Sequence, residues 1–291
     1  MAIANDDIKL FYSGGITNSN PDLCLGGEMS TTFFLSDRLF DSITGSQTSS
    51  GYTDYRCVYF YNLNSTDTLY DAKVYISSEI SGGANVVIGV EINNERQDIY
   101  ITNATSVATG SFILQYYNYF SDSEIQFTVN HSQNITTWAT NLQSSMRSIS
   151  GLEEIAVTGS YIGSTAYFQI TFGGTARYRY FEILQLVSSS QSFLDVNSSL
   201  TIQKIVDGGP KLKTAIEVND DATSPNNVTF APTSISYPIE IGDLKPLEFY
   251  PIWIKRTVVS NTSSMENDGF SLKMKGEIVW NIFYFFIYFF H

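Results

Sequence analysis

Positive charge and histidine are both scarce in this sequence. Lys and Arg together number 16 against 29 Asp and Glu in 291 residues, which gives a formal net charge of −13. Affinity for nucleic acid comes from clustered Lys and Arg that neutralise phosphates, so the composition predicts no nucleic-acid partner. The two histidines are His131, which we expect in a solvated loop, and His291 at the last position.

Clusters of residues that carry chemistry are missing as well. No Cys or His pair has the spacing of a metal site. The acidic pairs Asp6-Asp7, Glu153-Glu154 and Asp220-Asp221 match no calcium-binding loop and are interpreted as solvated surface charge. A catalytic triad would have to be built on His131, whose position suggests no acidic partner. We therefore expect a protein that is not an enzyme and that holds no metal or cofactor.

Cysteine usage and the first residues both bear on the compartment. Cys24 and Cys57 are the only cysteines, and two in a chain of this length make no disulfide framework. We expect both to be apolar packing residues, with a disulfide between them as the less favoured alternative. Residues 1–7 contain no basic segment leading into an apolar stretch, so we expect synthesis in a cytoplasm without a secretion signal.

Aromatic and β-branched residues are plentiful, and one stretch organises the rest. Residues 242–246 form a polar corner with Gly and Pro at its ends, and Phe249 to Val258 then has strand propensity and no helical period. We predict a long strand of a β-sandwich, with Trp253 in its core as the bulkiest residue. Partner strands are predicted between Asp54 and Ser78, almost two hundred residues earlier, so another segment is inserted between them.

The middle of the chain, Glu95 to Pro210, predicts a separate α+β unit with one helix. Apolar residues from Thr137 to Ile149 lie four, four and three apart on one helical face. Asn134 or Thr136 can cap the start of this helix, and Gly151 can end it. Period-two patterns predict strands at 97–102, 110–117, 125–129, 155–158, 165–172, 178–187 and 199–206.

Motifs at both ends of the chain resemble small β-sandwich virion structural proteins of tailed bacteriophages. The match covers about the first ninety residues and Ala215 to Gly276, and Leu247 stands where these proteins usually carry Gly. The resemblance implies an immunoglobulin-like sandwich. The motifs are Asp7-Ile8-Lys9-Leu10-Phe11, Ser13-Gly14-Gly15, Leu25-Gly26-Gly27, Tyr55-Arg56-Cys57, residues 72–77, Trp253-Ile254-Lys255-Arg256-Thr257-Val258 and Asn267-Asp268-Gly269-Phe270.

The middle segment resembles a repeat domain common in phage tail and fibre proteins. That resemblance rests on Gly110-Ser111-Phe112, Trp138-Ala139 with Leu142 and Met146, Val157-Thr158-Gly159, Phe172-Gly173-Gly174 and Gly208-Gly209-Pro210. The predicted fold is therefore mainly β. A discontinuous sandwich (1–94 and 211–276) carries an inserted α+β domain (95–210), and an apolar tail (277–291) follows.

The tail from Ile278 to Phe290 is apolar nearly throughout. About thirteen residues are too few for a helix that spans a bilayer, so we predict no membrane span. We expect a terminal strand, either with both faces buried or as an assembly element hidden on a neighbouring subunit. The predicted assembly residues are Trp280, Phe283, Phe285, Phe286, Phe289 and Phe290.

The resemblances imply a virion structural protein that acts through contacts between subunits. It would be a capsid decoration, tail, baseplate or fibre component, located in the virion and made in the host cytoplasm. Its partners would be other virion proteins and copies of itself. A host surface glycan is a further candidate partner, which exposed Tyr or Trp on the middle segment would support. The alternative is a subunit of a cell-surface filament or adhesin assembled by strand complementation.

Overall fold

A computed structural model gives the fold, which is mainly β with several antiparallel sheets, as predicted. The structure describes residues 3–4, 6–34, 38–80, 83–106, 109–118, 123–176, 179–189, 198–211, 214–263, 268–278 and 281–290. The chain divides into two compact units. The first, here called the split unit, comprises Met1–Glu91 with Pro210–His291, and the second, the middle unit, is Ile92–Gly209.

The elements in chain order are β1 (Ile8–Tyr12), α1 (Gly45–Ser50), β2 (Tyr52–Asn62), β3 (Leu69–Glu79), β4 (Asn85–Glu91), β5 (Arg96–Ile101), β6 (Ser111–Asn118), β7 (Ser123–Asn130), α2 (Ile135–Arg147), β8 (Ala156–Ile162), β9 (Thr165–Thr171), β10 (Gln185–Ser189), β11 (Leu200–Val206), β12 (Val228–Ala231), β13 (Ile239–Leu244), β14 (Phe249–Val258), β15 (Gly269–Ile278) and β16 (Asn281–Phe290). β1 to β4, α1 and β12 to β16 belong to the split unit, and the others to the middle unit.

The split unit contains two antiparallel sheets. Sheet I has the order β1-β2-β14-β4-β12, and sheet II has the order β13-β3-β15-β16. The predicted organising strand, β14, lies at the centre of sheet I and pairs with β2 so that Trp253 is opposite Cys57. β3, the other predicted strand of that segment, lies in sheet II, and its Val74 joins the same core as Ile252 of β14. The two sheets share one cluster of buried side chains, here called the main core.

Sheet I is covered on both faces, which corrects the predicted place of Trp253. Val58 of β2 and Ile252 of β14 face the main core. Cys57 and Trp253, one residue along, face a smaller core on the opposite side of the same sheet. Strand side chains alternate between faces, so a strand buried on both faces loses its polar alternation. Trp253 is fully buried as predicted, but in the smaller core.

The Leu25-Gly26-Gly27 motif closes this smaller core. The Tyr59 hydroxyl donates to the Gly27 carbonyl at 2.6 Å and accepts from the Ala215 N–H at 2.7 Å, so it ties both parts of the split unit together. Gly26 has φ +86°, and an added Cβ would lie 1.8 Å from the Ile216 carbonyl oxygen and 2.8 Å from the Trp253 ring. Only glycine fits this contact.

The predicted corner at 242–246 lies further along the chain. β13 continues to Leu244, with register shifts on either side of Gly242, whose φ is +73°. The turn comes at 245–248, where the Glu248 N–H donates to the Lys245 carbonyl at 3.1 Å. Positive φ at Gly242 lets β13 bulge and still pair with β3, so the corner is displaced.

The middle unit contains sheet III (β11-β5-β9-β8), sheet IV (β10-β6-β7) and α2. The predicted helix is confirmed, and the Asn134 side chain caps it by accepting from the Thr137 N–H at 3.1 Å. It ends at the C-cap Ser148, three residues before Gly151, which was the expected end. Its buried face joins the unit's own core. Gly159 of β8 lets α2 approach closely, because an added Cβ would lie 3.1 Å from the Ala139 Cβ. This contact explains the glycine of the Val-Thr-Gly motif.

Most of the predicted strands of the middle unit are found within a residue or two of their predicted ends, and β7 and β8 run further than predicted. The exception is 178–187, where the described strand is β10 at Gln185–Ser189, and Tyr178 lies outside the described residues. Phe181 and Leu184 precede that strand and are buried in the unit's core. These two side chains are buried from a loop, and apolar content alone cannot distinguish a buried loop from a strand.

Candidate assembly surface

The apolar tail forms β16, the last strand of sheet II. It pairs with β15 in an antiparallel hairpin whose register runs from Gly269 opposite Phe290 to Ile278 opposite Asn281. β15 in turn pairs with β3, so β16 lies at one end of its sheet. The prediction of a terminal strand is therefore right, and its strand partner is in its own chain.

One side of β16 completes the main core. Phe283 and Phe289 are buried, and Phe285 and Ile287 pack against the same cluster. The Phe289 ring stacks on Phe270 with a centroid distance of 4.8 Å, and the Phe285 ring meets Phe60 of sheet I edge-on at 6.3 Å. Three of the predicted assembly residues thus face their own chain's core.

The other side of β16 faces outward. Its alternate residues Ile282, Phe286 and Tyr288 are 49%, 48% and 59% exposed, and Tyr284 is half-buried. The interpretation with both faces buried is therefore wrong. These four side chains are called the outer stripe below. Of the predicted assembly residues, Phe286 belongs to it, whereas Trp280 and the side chain of Phe290 lie outside the described residues.

The backbone of β16 is open on the side away from β15. Among the described strands it pairs with β15 and no other. About half of the N–H and C=O groups of such a strand point to the open side, where they can pair with another strand. Natural edge strands are commonly protected by charge or proline. β16 has neither in its ten residues.

Charge near the outer stripe contrasts with the rest of the chain. β15 carries Lys273, Lys275 and Glu277 on the outward face, and β16 carries no charge. The Lys273 ammonium lies 4.2 Å from the Tyr284 ring centroid and 4.0 Å from that of Phe286. Such cation–π contacts are favourable and place cationic groups beside the edge. The surface is locally cationic on a molecule of net charge −13.

A polar pocket of about 390 Å³ lies at one end of sheet I. Arg256 donates to both carboxylate oxygens of Asp54, at 2.9 and 2.6 Å, and both groups are buried. In a second pair, the Arg56 Nη2 atom lies 3.3 Å from the Asp221 Oδ2 atom. At the rim, the Arg38 Nη2 atom lies 2.8 Å from the Asp41 Oδ1 atom. These three guanidinium groups each have a carboxylate partner, so the pocket is an internally neutralised network.

Residues considered for catalysis or metal binding have other structural roles. His131 follows β7 as expected but is half-buried, with its ring edge-on to Trp138 at 4.5 Å. Asp221 accepts from the Tyr52 hydroxyl at 3.1 Å, and burial followed by the Asp221 charge raises the pKa of Tyr52 to about 12. Asp221 is therefore a structural partner and not a purely solvated charge.

Both cysteines are free thiols in the split unit, and their side chains are fully buried. They neighbour each other, because the Cys57 N–H donates to the Cys24 carbonyl at 2.7 Å. Burial raises the pKa of Cys24 to about 11 and that of Cys57 well above its ordinary value. Both thiols therefore stay protonated and unreactive at neutral pH.

The described residues include no group of three or more His, Cys, Asp or Glu side chains placed to hold a metal ion. No helix within the described ranges is long and apolar enough to cross a membrane.

A glycan site on the middle unit would be supported by exposed Tyr or Trp side chains. None of the described Tyr or Trp side chains of that unit is exposed, so this support is not found.

Sequence reasoning located the tail but missed its two-sided character. Nearly every residue of β16 is apolar, so no polar alternation marks the outward face. It also missed the Arg–Asp network, whose members lie far apart in sequence. The chain matches no protein-family model, and no curated protein shows significant sequence similarity to it.

Proposed function

We propose that this protein is a non-enzymatic structural subunit of a tailed-phage virion, held in place by contacts with neighbouring subunits. Its fold is an immunoglobulin-like β-sandwich, formed by sheets I and II, that carries the middle unit as an inserted domain. The observation that carries the proposal is the edge of sheet II, where an uncharged strand of ten residues is open to pairing. Its partners are other virion proteins and further copies of itself.

Three features support a structural role over catalysis. The buried carboxylates Asp54 and Glu95 are engaged by neighbouring groups, with Asp54 paired to Arg256 and Glu95 accepting from the Phe181 N–H at 2.7 Å. The polar pocket is neutralised by its own residues. The outer stripe exposes large apolar side chains beside an open strand edge, which is the kind of surface that subunit contacts cover.

The alternative, a filament or adhesin subunit that donates its terminal strand, receives less support. A donated strand leaves its own fold and completes the neighbour's sheet. Here β16 pairs along its whole length with β15 and places Phe283 and Phe289 in its own core. Donation would uncover that core, so we propose contact through the open side of β16 instead.

The test is to locate the protein in particles. Phage particles released by cells that carry this gene are purified on a density gradient, examined by quantitative mass spectrometry and labelled with an antibody against the chain. We expect several copies per particle and label at a fixed site on its surface or tail. Recovery only in the cell-surface fraction would favour the filament alternative, and recovery only as unassembled protein in the cytosol would contradict both.

A further inference from the structure

The open side of β16 is suited to a second copy of the same chain. The strand has ten residues, so its edge is about 34 Å long at about 3.4 Å per residue. Two such edges run antiparallel when the copies are related by a twofold axis, and each then supplies the groups that the other lacks. This inference deepens the proposed function by naming the partner at that surface.

We propose that two copies pair β16 to β16 in antiparallel orientation, which joins their sheets II into one sheet of eight strands. Residues directly opposite each other in a sheet point to the same face. A register that keeps core side chains on one face must therefore place odd residues opposite odd residues. The longest registers that meet this condition centre on Phe285 or on Phe286. In each of them the central residue lies opposite the same residue of the second copy.

Both registers extend the outer stripe across the twofold axis. With Phe286 at the centre, Tyr284 lies opposite Tyr288 of the second copy. With Phe285 at the centre, Tyr284 lies opposite Phe286, and Ile282 opposite Tyr288. Aromatic pairs and aromatic–β-branched pairs are among the favourable cross-strand contacts. In both registers, outer-stripe side chains of one copy lie beside outer-stripe side chains of the other on the same face of the joined sheet.

Charge favours this surface for contact between like molecules. Two chains that each carry −13 repel each other where acidic surfaces meet. β15 and β16 together carry two lysines and one glutamate, so this edge lacks that acidic excess. Lys273 of each copy would lie about 14 Å apart across four strands, at about 4.8 Å per strand spacing. That separation exceeds the screening length of about 8 to 10 Å at physiological salt.

Cysteine crosslinking tests both the partner and the register. Facing residues have Cα atoms about 4.5 to 5.5 Å apart, within disulfide reach, whereas diagonal neighbours are about 7 to 8 Å apart. The full-length chain carrying Phe286→Cys is oxidised alone, and is also oxidised in an equal mixture with a Tyr284→Cys chain. Because Cys24 and Cys57 are buried, the added thiols react selectively. Tyr237→Cys, in an exposed turn of the split unit, is the matched control.

We expect a disulfide-linked dimer at least about tenfold more abundant than in the control, since pairing raises the local thiol concentration. Dimer from Phe286→Cys alone establishes the register centred on Phe286. Mixed dimer from Tyr284→Cys with Phe286→Cys establishes the register centred on Phe285. Crosslinking no greater than that of the control in both preparations, with circular dichroism showing folded protein, overturns the proposal.

A charge substitution gives an independent measurement. Tyr288→Lys adds a cation to the outer stripe of both copies, whereas Tyr237→Lys makes the same change elsewhere at a residue that is 78% exposed, against 59% for Tyr288. Light scattering across a concentration series should show that Tyr288→Lys associates more weakly than the unchanged chain. Tyr237→Lys should associate as strongly as the unchanged chain. Equal association of both variants contradicts the proposal.

The dimer and the virion role can fail separately. A chain found in virions without dimer formation would contradict the dimer and leave the virion role standing. Dimers of a chain that is absent from virions would contradict the virion role and leave the dimer standing.

Discussion

Leu247 shows how one residue departs from what its backbone requires. It lies in the turn Lys245-Pro246-Leu247-Glu248, closed by the Glu248 N–H on the Lys245 carbonyl, and its φ is +58°. Proline at the second position and a positive φ at the third are features of a type II turn, where glycine is favoured. The positive φ of Leu247 is therefore the physical reason to expect glycine at this position.

Replacement of Leu247 with glycine is expected to stabilise the split unit. A non-glycine residue in the left-handed region costs about 1 to 2 kcal/mol, and glycine loses about 0.5 to 1 kcal/mol of that gain to backbone entropy. We expect the free energy of unfolding to rise by about 0.5 to 1 kcal/mol, measured by urea denaturation. Leu247→Ala retains the strain and serves as control. A Leu247→Gly chain less stable than the alanine chain would show that the half-exposed leucine side chain matters more than its backbone.

At the scale of elements, β16 combines two surfaces in one apolar strand. Phe289 lies in the main core between Phe270 and Phe34, with ring centroids at 4.8 and 5.5 Å. Tyr288, its neighbour in sequence, faces outward. Removing the whole strand would uncover the main core, so single substitutions on its two faces are the informative changes.

Phe289→Ala should cost about 3 to 5 kcal/mol of unfolding free energy, because it leaves a cavity in a packed core. Tyr288→Ala should change the stability of the isolated chain by less than about 1 kcal/mol, because that side chain is exposed. Both are measured by chemical denaturation at low protein concentration, where association does not contribute. Equal costs for the two variants would mean that the described inward and outward faces are misassigned.

At the scale of the whole molecule, each unit has its own tryptophan. Trp253 is fully buried in the smaller core of the split unit, and Trp138 is fully buried in the core of the middle unit. The two clusters share no residues, and each unit has its own sheets. A compact unit with its own core can unfold by itself.

We expect two unfolding transitions and a different effect of each tryptophan substitution. Trp253→Ala should lower the stability of one transition by about 3 to 5 kcal/mol, and Trp138→Ala that of the other, through cavity formation. Calorimetry and circular dichroism follow the transitions, and each variant is the control for the other. A single transition that both substitutions shift equally would contradict the proposal of an independently folding insertion.

The sequence by itself determined the local elements. Helix α2 follows from apolar residues at helical spacing with Asn134 and Thr136 as possible caps, between which the structure selects Asn134. The organising strand follows from its aromatic and β-branched residues. Asn93-Asn94 and Gly208-Gly209-Pro210 interrupt the apolar patterns, and the middle unit of the structure is Ile92–Gly209. These features depend on neighbours in the chain and are therefore visible in one dimension.

Only the tertiary structure decided which face each strand presents and what covers it. Trp253 and Ile252 are equally apolar, yet one packs in the smaller core and the other in the main core, because both faces of sheet I are covered. The outer stripe of β16 is as apolar as its buried face, so exposure there depends on which face of sheet II packs against the main core. A pattern records hydrophobicity, whereas the position of a strand in its sheet depends on contacts between residues far apart in the chain.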